Sequence, residues 1–250
     1  MKPLKPINPA IAILILTLTL IPLKVYSEHT LEPIDALRKC IGTMKGVNDY
    51  ILVVHQVQRV GGKLLPEEVI LYKFKRPNSV YLRSIGEANN GQEIIYREGW
   101  NDGKMMGHLG GALNGIILNL KPGADMANKR SRHTIDKSSL VYMMNTLERS
   151  MDYAKAHPED NMIVEDIGTK NIFGKPVRLI RIKLPHGKDY PYYAPVSIFG
   201  IDMERYLPLY YRSYGPDGEM WEDYRYRDLR TNVGLTDLDF DPKNPEYNFQ

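Results

Sequence analysis

The chain has 250 residues, and its 33 Lys and Arg stand against 30 Asp and Glu. Lys2, Lys5 and Lys24 lie within the first 27 residues, which hold no acid, so the remainder is balanced at 30 against 30. That balance removes the charge argument for nucleic acid or an anionic membrane surface as partner, and the single cysteine, Cys40, excludes an internal disulfide.

Residues 1–27 carry a basic start, an apolar run from Ile11 to Ile21, and Val25 and Ser27 at minus three and minus one of a cut before Glu28. This is the order of features read by a secretion machinery. The run is short for a permanent span; an uncleaved anchor is the alternative. The expected organisation is a signal peptide over 1–27 and a single domain over 28–250. The expected destination is the periplasm, without ATP or a reducing pool. No cysteine follows the apolar run as a lipoprotein requires, so a soluble protein is expected.

Pro33 opens a helix whose Ile34, Leu37, Ile41 and Met44 recur at helical spacing, with Cys40 on the same side as a small buried hydrophobe. From Tyr50 the period changes. Tyr50 to Val60 is β-branched and ends at Gly61-Gly62, a hairpin signal. Ile70, Tyr72 and Phe74 alternate with Leu71, Lys73 and Lys75 until Pro77. Short strands follow at Val80 to Ile85, Gln92 to Glu98, Lys104 to Leu109 and Ile116 to Leu120, separated by Gly and Asn clusters. That spacing is an antiparallel meander.

Leu140, Met143, Met144, Leu147, Met151 and Ala154 make one face of a second helix that stops near His157-Pro158. Strands resume at Met162 to Thr169, Val177 to Leu184, Val196 to Met203, Leu207 to Tyr214 and Glu219 to Asp228. The last two are joined by Gly215-Pro216-Asp217-Gly218. The tail from Asn232 reads as an acidic loop. About ten strands and two helices, with 17 tyrosines against 5 Phe and 2 Trp, predict a mainly β (α+β) domain. Its expected form is a strongly curved antiparallel sheet, or half-open barrel, with helices over the concave face.

Catalytic motifs are weak. The six histidines form no zinc-type pair, and there is no Gly-x-Ser-x-Gly elbow or phosphate-cradling glycine loop; no metal or cofactor is expected. Gly107 to Gly111 reads as a turn. Asp237, Asp239 and Asp241 resemble the start of a calcium loop, but Pro242 and Asn248 stand where glycine and a bidentate glutamate are needed; a solvated acidic tail is the plainer reading. Arg130 to Ile135 is the most pointed polar cluster. Arg132 and His133 either form a polar site at a cavity entrance or satisfy backbone carbonyls in a loop. Ile70, Tyr72 and Phe74, with Met143, Met144, Leu147 and Met151, either line an apolar ligand cavity or pack as core.

Leu207-Pro208-Leu209, Asp217-Gly218-Glu219, Tyr224 to Leu229, Asn232 to Asp237 and Phe240-Asp241 together resemble the C-terminal hairpin and exit of the LolA/LolB lipoprotein-carrier superfamily. More closely, the chain resembles an exported bacterial family known only as a domain of unknown function. The stretches Lys73 to Pro77, Val80 to Leu82, Gly91 to Tyr96, Arg132 to Ile135 and Asn244 to Tyr247 carry that likeness, over residues 35–250. The resemblance implies a LolA-like half-barrel of antiparallel strands with helices over an apolar cavity. The first expected function is a carrier of lipid, acyl chains or lipid-modified protein, a monomer with a membrane-bound donor or acceptor and no catalysis. None of the carriers' lid-closing residues is transferred to this chain. Two other functions stand beside it: an envelope adaptor using its tyrosines to bind a protein or glycan, and a hydrolase built on Arg132, His133, Glu165 and Asp166.

Overall fold

The first helix, α1, runs Pro33–Lys45 because proline suits its first turn and Ala36, Leu37, Cys40, Ile41 and Met44 make one buried stripe. The structure, a computed structural model, describes residues 31–111, 115–125, 129–187 and 189–249. The signal peptide expected over 1–27, and its cut, lie outside the described residues. From Leu31 onward the chain forms one compact unit.

Strand β1 (Asp49–Val60) turns through Gly61 and Gly62, both at positive φ, into the short β2 (Lys63–Leu64). The meander continues with β3 (Glu68–Lys75), β4 (Ser79–Ser84), β5 (Glu93–Arg97), β6 (Met105–His108) and β7 (Ile117–Leu120). Helix α2 (Leu140–Ala156) starts where the Ser139 side chain accepts a hydrogen bond from the Tyr142 amide, and ends before Pro158. The C-terminal strands are β8 (Ile163–Ile172), β9 (Lys175–Lys183), β10 (Val196–Asp202), β11 (Leu207–Tyr214) and β12 (Met220–Thr231). Every stretch read as a strand forms one, and the additional strand is β2.

The 12 strands make one antiparallel sheet in the order β7-β6-β5-β4-β3-β1-β12-β11-β10-β9-β8, with β2 on β1. Its ends, β7 and β8, do not pair, so the sheet stays open. Irregular register bends it at several points. At one, β12 carries an extra residue opposite β1, with Asp228 at φ 56°. At another, between β10 and β11, Gly200 lies so close to β11 that a Cβ there would come 2.6 Å from the Tyr210 Cβ.

Both helices lie on the concave side. Cys40 of α1 meets Met144 of α2, sulfur to sulfur, at 3.9 Å, and Lys45 bonds Glu148 at 2.6 Å. Burial pushes the Cys40 thiol up to about 12, as expected of a cysteine that acts as a core hydrophobe.

The tail departs from the sequence reading. Instead of a solvated acidic loop it docks on the convex face, where Phe240, Tyr247 and Phe249 join Tyr81 and Ile95 in a second core. Tyr247 stacks on Tyr81 at 4.0 Å, and Asn248 bonds the fully buried Glu93 at 2.6 Å. Asp237 and Asp239 accept hydrogen bonds from Lys75 and Lys73 at 2.8 and 2.9 Å. The stretch at Gly107 is also more than a turn: His108 ends β6 fully buried, edge-on to Phe249 at 5.0 Å.

Candidate ligand cavity

The interior is set by strand parity. Leu52 and Val54 of β1 face Tyr72 and Ile70 of β3, while Val54 and Gln56 face Tyr226 and Tyr224 of β12. Side chains of this set point to the concave face, where Pro122, residues 130–138 and Leu140 border the space over β1–β7 and α2 borders the space over β9–β12. Two chambers result. The first holds about 350 Å³ beneath β1 and β3–β7, with an apolar wall that includes Leu52, Ile70, Tyr72, Leu82 and Ile94. Its other side is polar, with Gln56, Gln58, Glu68, Asn89 and Arg130. Glu68 accepts hydrogen bonds from Gln56 (3.0 Å) and Asn89, with Arg130 at 3.8 Å.

The second chamber holds about 290 Å³ between α2 and β9–β12. Met143, Leu147 and Met151 of α2 face Met162, Ile182 and Phe199 across it. His133, Ser138, Tyr224 and Tyr226 line both chambers, so they form the wall between them. The helix start is pinned above this wall: the Leu140 amide donates to the Tyr50 hydroxyl at 2.8 Å, and Tyr72 meets Ser138 at 2.9 Å. Burial pushes the Tyr50, Tyr224 and Tyr226 phenols up, keeping these walls neutral.

One ionisable group is buried beside that wall. Glu222 of β12 is fully buried and bonds His133 Nε2 at 2.6 Å, Tyr224 at 2.7 Å and Ser213 at 2.8 Å. Burial pushes its carboxyl up, but the His133 hydrogen bond and charge outweigh this, with help from Tyr224 and Ser213. The group is held below the usual carboxylate range. Arg132 donates to the Arg59 carbonyl (2.9 Å) and the Tyr193 hydroxyl (3.1 Å), and lies 4.4 Å over the Trp221 ring.

The structure therefore divides the residues named from sequence. Ile70 and Tyr72 line the first chamber; Met143, Leu147 and Met151 line the second. Phe74 stands in the core, stacked on Tyr50 at 5.1 Å, and Met144 is buried against Cys40. His133 lines both chambers, whereas Arg132 lines neither and donates to the Arg59 carbonyl. Glu165 and Asp166 are not the carboxylates at His133. They sit on β8, bonded to Arg181 and Arg178, both at 2.7 Å. Glu222, Tyr224 and Tyr226 are not among the site residues named from sequence. Their signal is present, because these even positions alternate with Asp223, Arg225 and Arg227.

Fold and site together define an open antiparallel half-barrel with a two-chambered apolar interior. Residues 47–249 match the model of the family described as protein of unknown function, DUF1571, and the chain belongs to that family. A search of curated proteins gave no match. Similar solved structures include the Mycobacterium tuberculosis lipoprotein LppX, 9% identical, over 82% of this chain and 97% of that one, at TM-score 0.48. Another is the MucA/MucB complex of Pseudomonas aeruginosa, 14% identical, over 84% of this chain and 60% of the matched one, at 0.42. A LolA superfamily protein of Nitrosomonas europaea, 10% identical, matches over 84% and 97% at 0.32.

Proposed function

We propose that this protein is an exported, non-catalytic binding or carrier protein for a lipid, an acyl chain or a lipid-modified protein. The observation that carries the reading is the interior of the sheet, two chambers of about 350 and 290 Å³ with long apolar walls. Sites of about 300–1,000 Å³ are the usual size for small-molecule ligands. Exposing an acyl chain to water costs about 0.8 kcal/mol per CH₂, or on the order of 12 kcal/mol for some sixteen carbons. A shielded cavity offsets that cost, and release to a membrane or a deeper apolar site needs no nucleotide. The signal-like leader supports a periplasmic address, where such a shuttle would operate.

The adaptor reading requires a filled interior, and the two chambers favour the carrier over it. The hydrolase reading needs a carboxylate and a nucleophile at His133. Glu222 supplies the first, but no serine, threonine or cysteine side chain hydrogen-bonds the His133 ring among the described residues. Native mass spectrometry of the purified protein, followed by solvent extraction, tests the proposal. Lipid should accompany the protein and leave it on extraction. A bare polypeptide mass, with no uptake of palmitate, lysophospholipid or phospholipid from vesicles, would overturn it.

A further inference from the structure

The interior is forked, and the fork constrains what can occupy it. The two chambers share one wall, His133, Ser138, Tyr224 and Tyr226; beyond it the first has its apolar wall along Leu52, Ile70, Tyr72, Leu82 and Ile94, and the second along Met143, Leu147, Met151, Met162 and Phe199. A single unbranched chain would occupy one chamber and leave the other open. The wall carries polar groups at the point the chambers share, apart from the Glu68 cluster at the far side of the first chamber. His133 Nε2 is committed to Glu222, and among the described residues nothing hydrogen-bonds Nδ1. The His133 side chain is 25% exposed, so the junction reaches the surface.

We propose that the ligand is a two-chain acyl lipid that straddles this wall, with one chain in each chamber and the ester-linked junction of the chains at His133. This rests on the carrier reading above and narrows its ligand class. Apolar burial of both chains then acts on one molecule, so the second chain binds at the high effective concentration set by the first. An acyl ester carbonyl is a neutral acceptor, which suits a junction whose one carboxylate is already satisfied by three donors.

The test uses the full mature chain with two probes, a dioleoyl phosphatidylglycerol and its single-chain lyso form, measured by native mass spectrometry and fluorescence displacement. Ile70→Trp narrows the first chamber and Leu147→Trp the second, with thermal melts to confirm that each variant folds. The diacyl probe should bind once per chain, and either variant should weaken it at least tenfold. The lyso probe should stay within threefold in each single variant, because one chamber suffices for it. In parallel, a diacyl probe with a photoreactive group at both chain ends should label peptides bearing Ile94 and Met162 in the wild-type chain. This second measurement holds even where a tryptophan variant unfolds. Labelling confined to one chamber, or diacyl binding indifferent to Leu147→Trp, would overturn the two-chain proposal. Uptake of neither probe would overturn the carrier reading itself.

Discussion

The two faces of the sheet are both buried, but by different means. On the convex face a short tail closes over β3–β6 with aromatic rings in direct contact, Tyr247 on Tyr81 and Phe249 on His108. Charged groups there are paired at close range, as Lys73 is with Asp239 and Tyr247. On the concave face α1 packs into the core, while α2 leaves space over β9–β12 and residues 130–138 border the space over β1–β7. A flexible tail can follow the surface it covers, whereas a rigid helix spanning a concave sheet touches it only along part of its length. The contrast teaches that covering a sheet and filling it are separable, and that over the second chamber the rigid cover makes the cavity.

The largest expected effect lies on the filled face. Phe240 is fully buried at the centre of the tail cluster, so Phe240→Ala should cost about 3–5 kcal/mol of stability. Urea unfolding checks it, and lipid uptake by the fraction that remains folded should be unchanged. A loss of stability below about 1 kcal/mol would mean that the tail rests on the sheet without stabilising it.

Added volume should separate the faces most directly. Ile95 is fully buried under the tail, so Ile95→Phe overpacks it and should cost about 1–3 kcal/mol. Met143 borders the second chamber, and Met143→Phe has room to turn into it, with a change within about 1 kcal/mol. Equal costs for the two would erase the distinction between a filled and an open face.

Most of this fold is legible in the chain because alternation and helical spacing are local signals. Ile70, Tyr72 and Phe74 announce β3, and the stripe from Leu140 to Ala154 announces α2. Whether those residues line a cavity or a core depends on how far the helix stands off the sheet. Met143 and Met144 are neighbours in sequence, yet one faces a chamber and the other meets Cys40. The tail was misread for a related reason. Its Phe240, Tyr247 and Phe249 follow no period, and the partners that bury them, Tyr81 and Ile95, lie some 150 residues earlier. Glu222 was missed because an acid in a Tyr-rich strand looks like a surface residue until the parity of Tyr224 and Tyr226 is followed back to it.

The wall between the chambers joins both regimes, since it is packed and polar at once. His133→Ala removes the partner of a fully buried carboxylate and should cost about 1–3 kcal/mol. The folded Glu222 carboxyl lies below its usual 4.5. A group depressed on folding stabilises the protein above its unfolded value and loses that contribution as pH falls toward and through the folded one. Stability should therefore decline as pH drops below about 4.5, and Glu222→Gln should flatten that decline in urea melts. An unchanged acid limb in Glu222→Gln would assign the decline to other carboxylates.

The smallest expected effect concerns the cover itself. Helix α1 is tied at both ends: Arg178 donates to the Leu31 carbonyl, and Arg76 donates to the carbonyls of Val47 (2.8 Å) and Met44 (3.2 Å). Its Cys40 thiol is buried and pushed up to about 12, so almost none is thiolate at mildly alkaline pH. A thiol reagent should then label Cys40 only as fast as the whole protein unfolds, with a rate that rises steeply with urea. Bound lipid should slow the labelling by no more than it stabilises the fold. Labelling that is fast and insensitive to urea would mean that α1 lifts by itself. The helical side would then move at α1, and the contrast between a closed convex face and a merely spanned concave one would become a difference in motion as well as in packing.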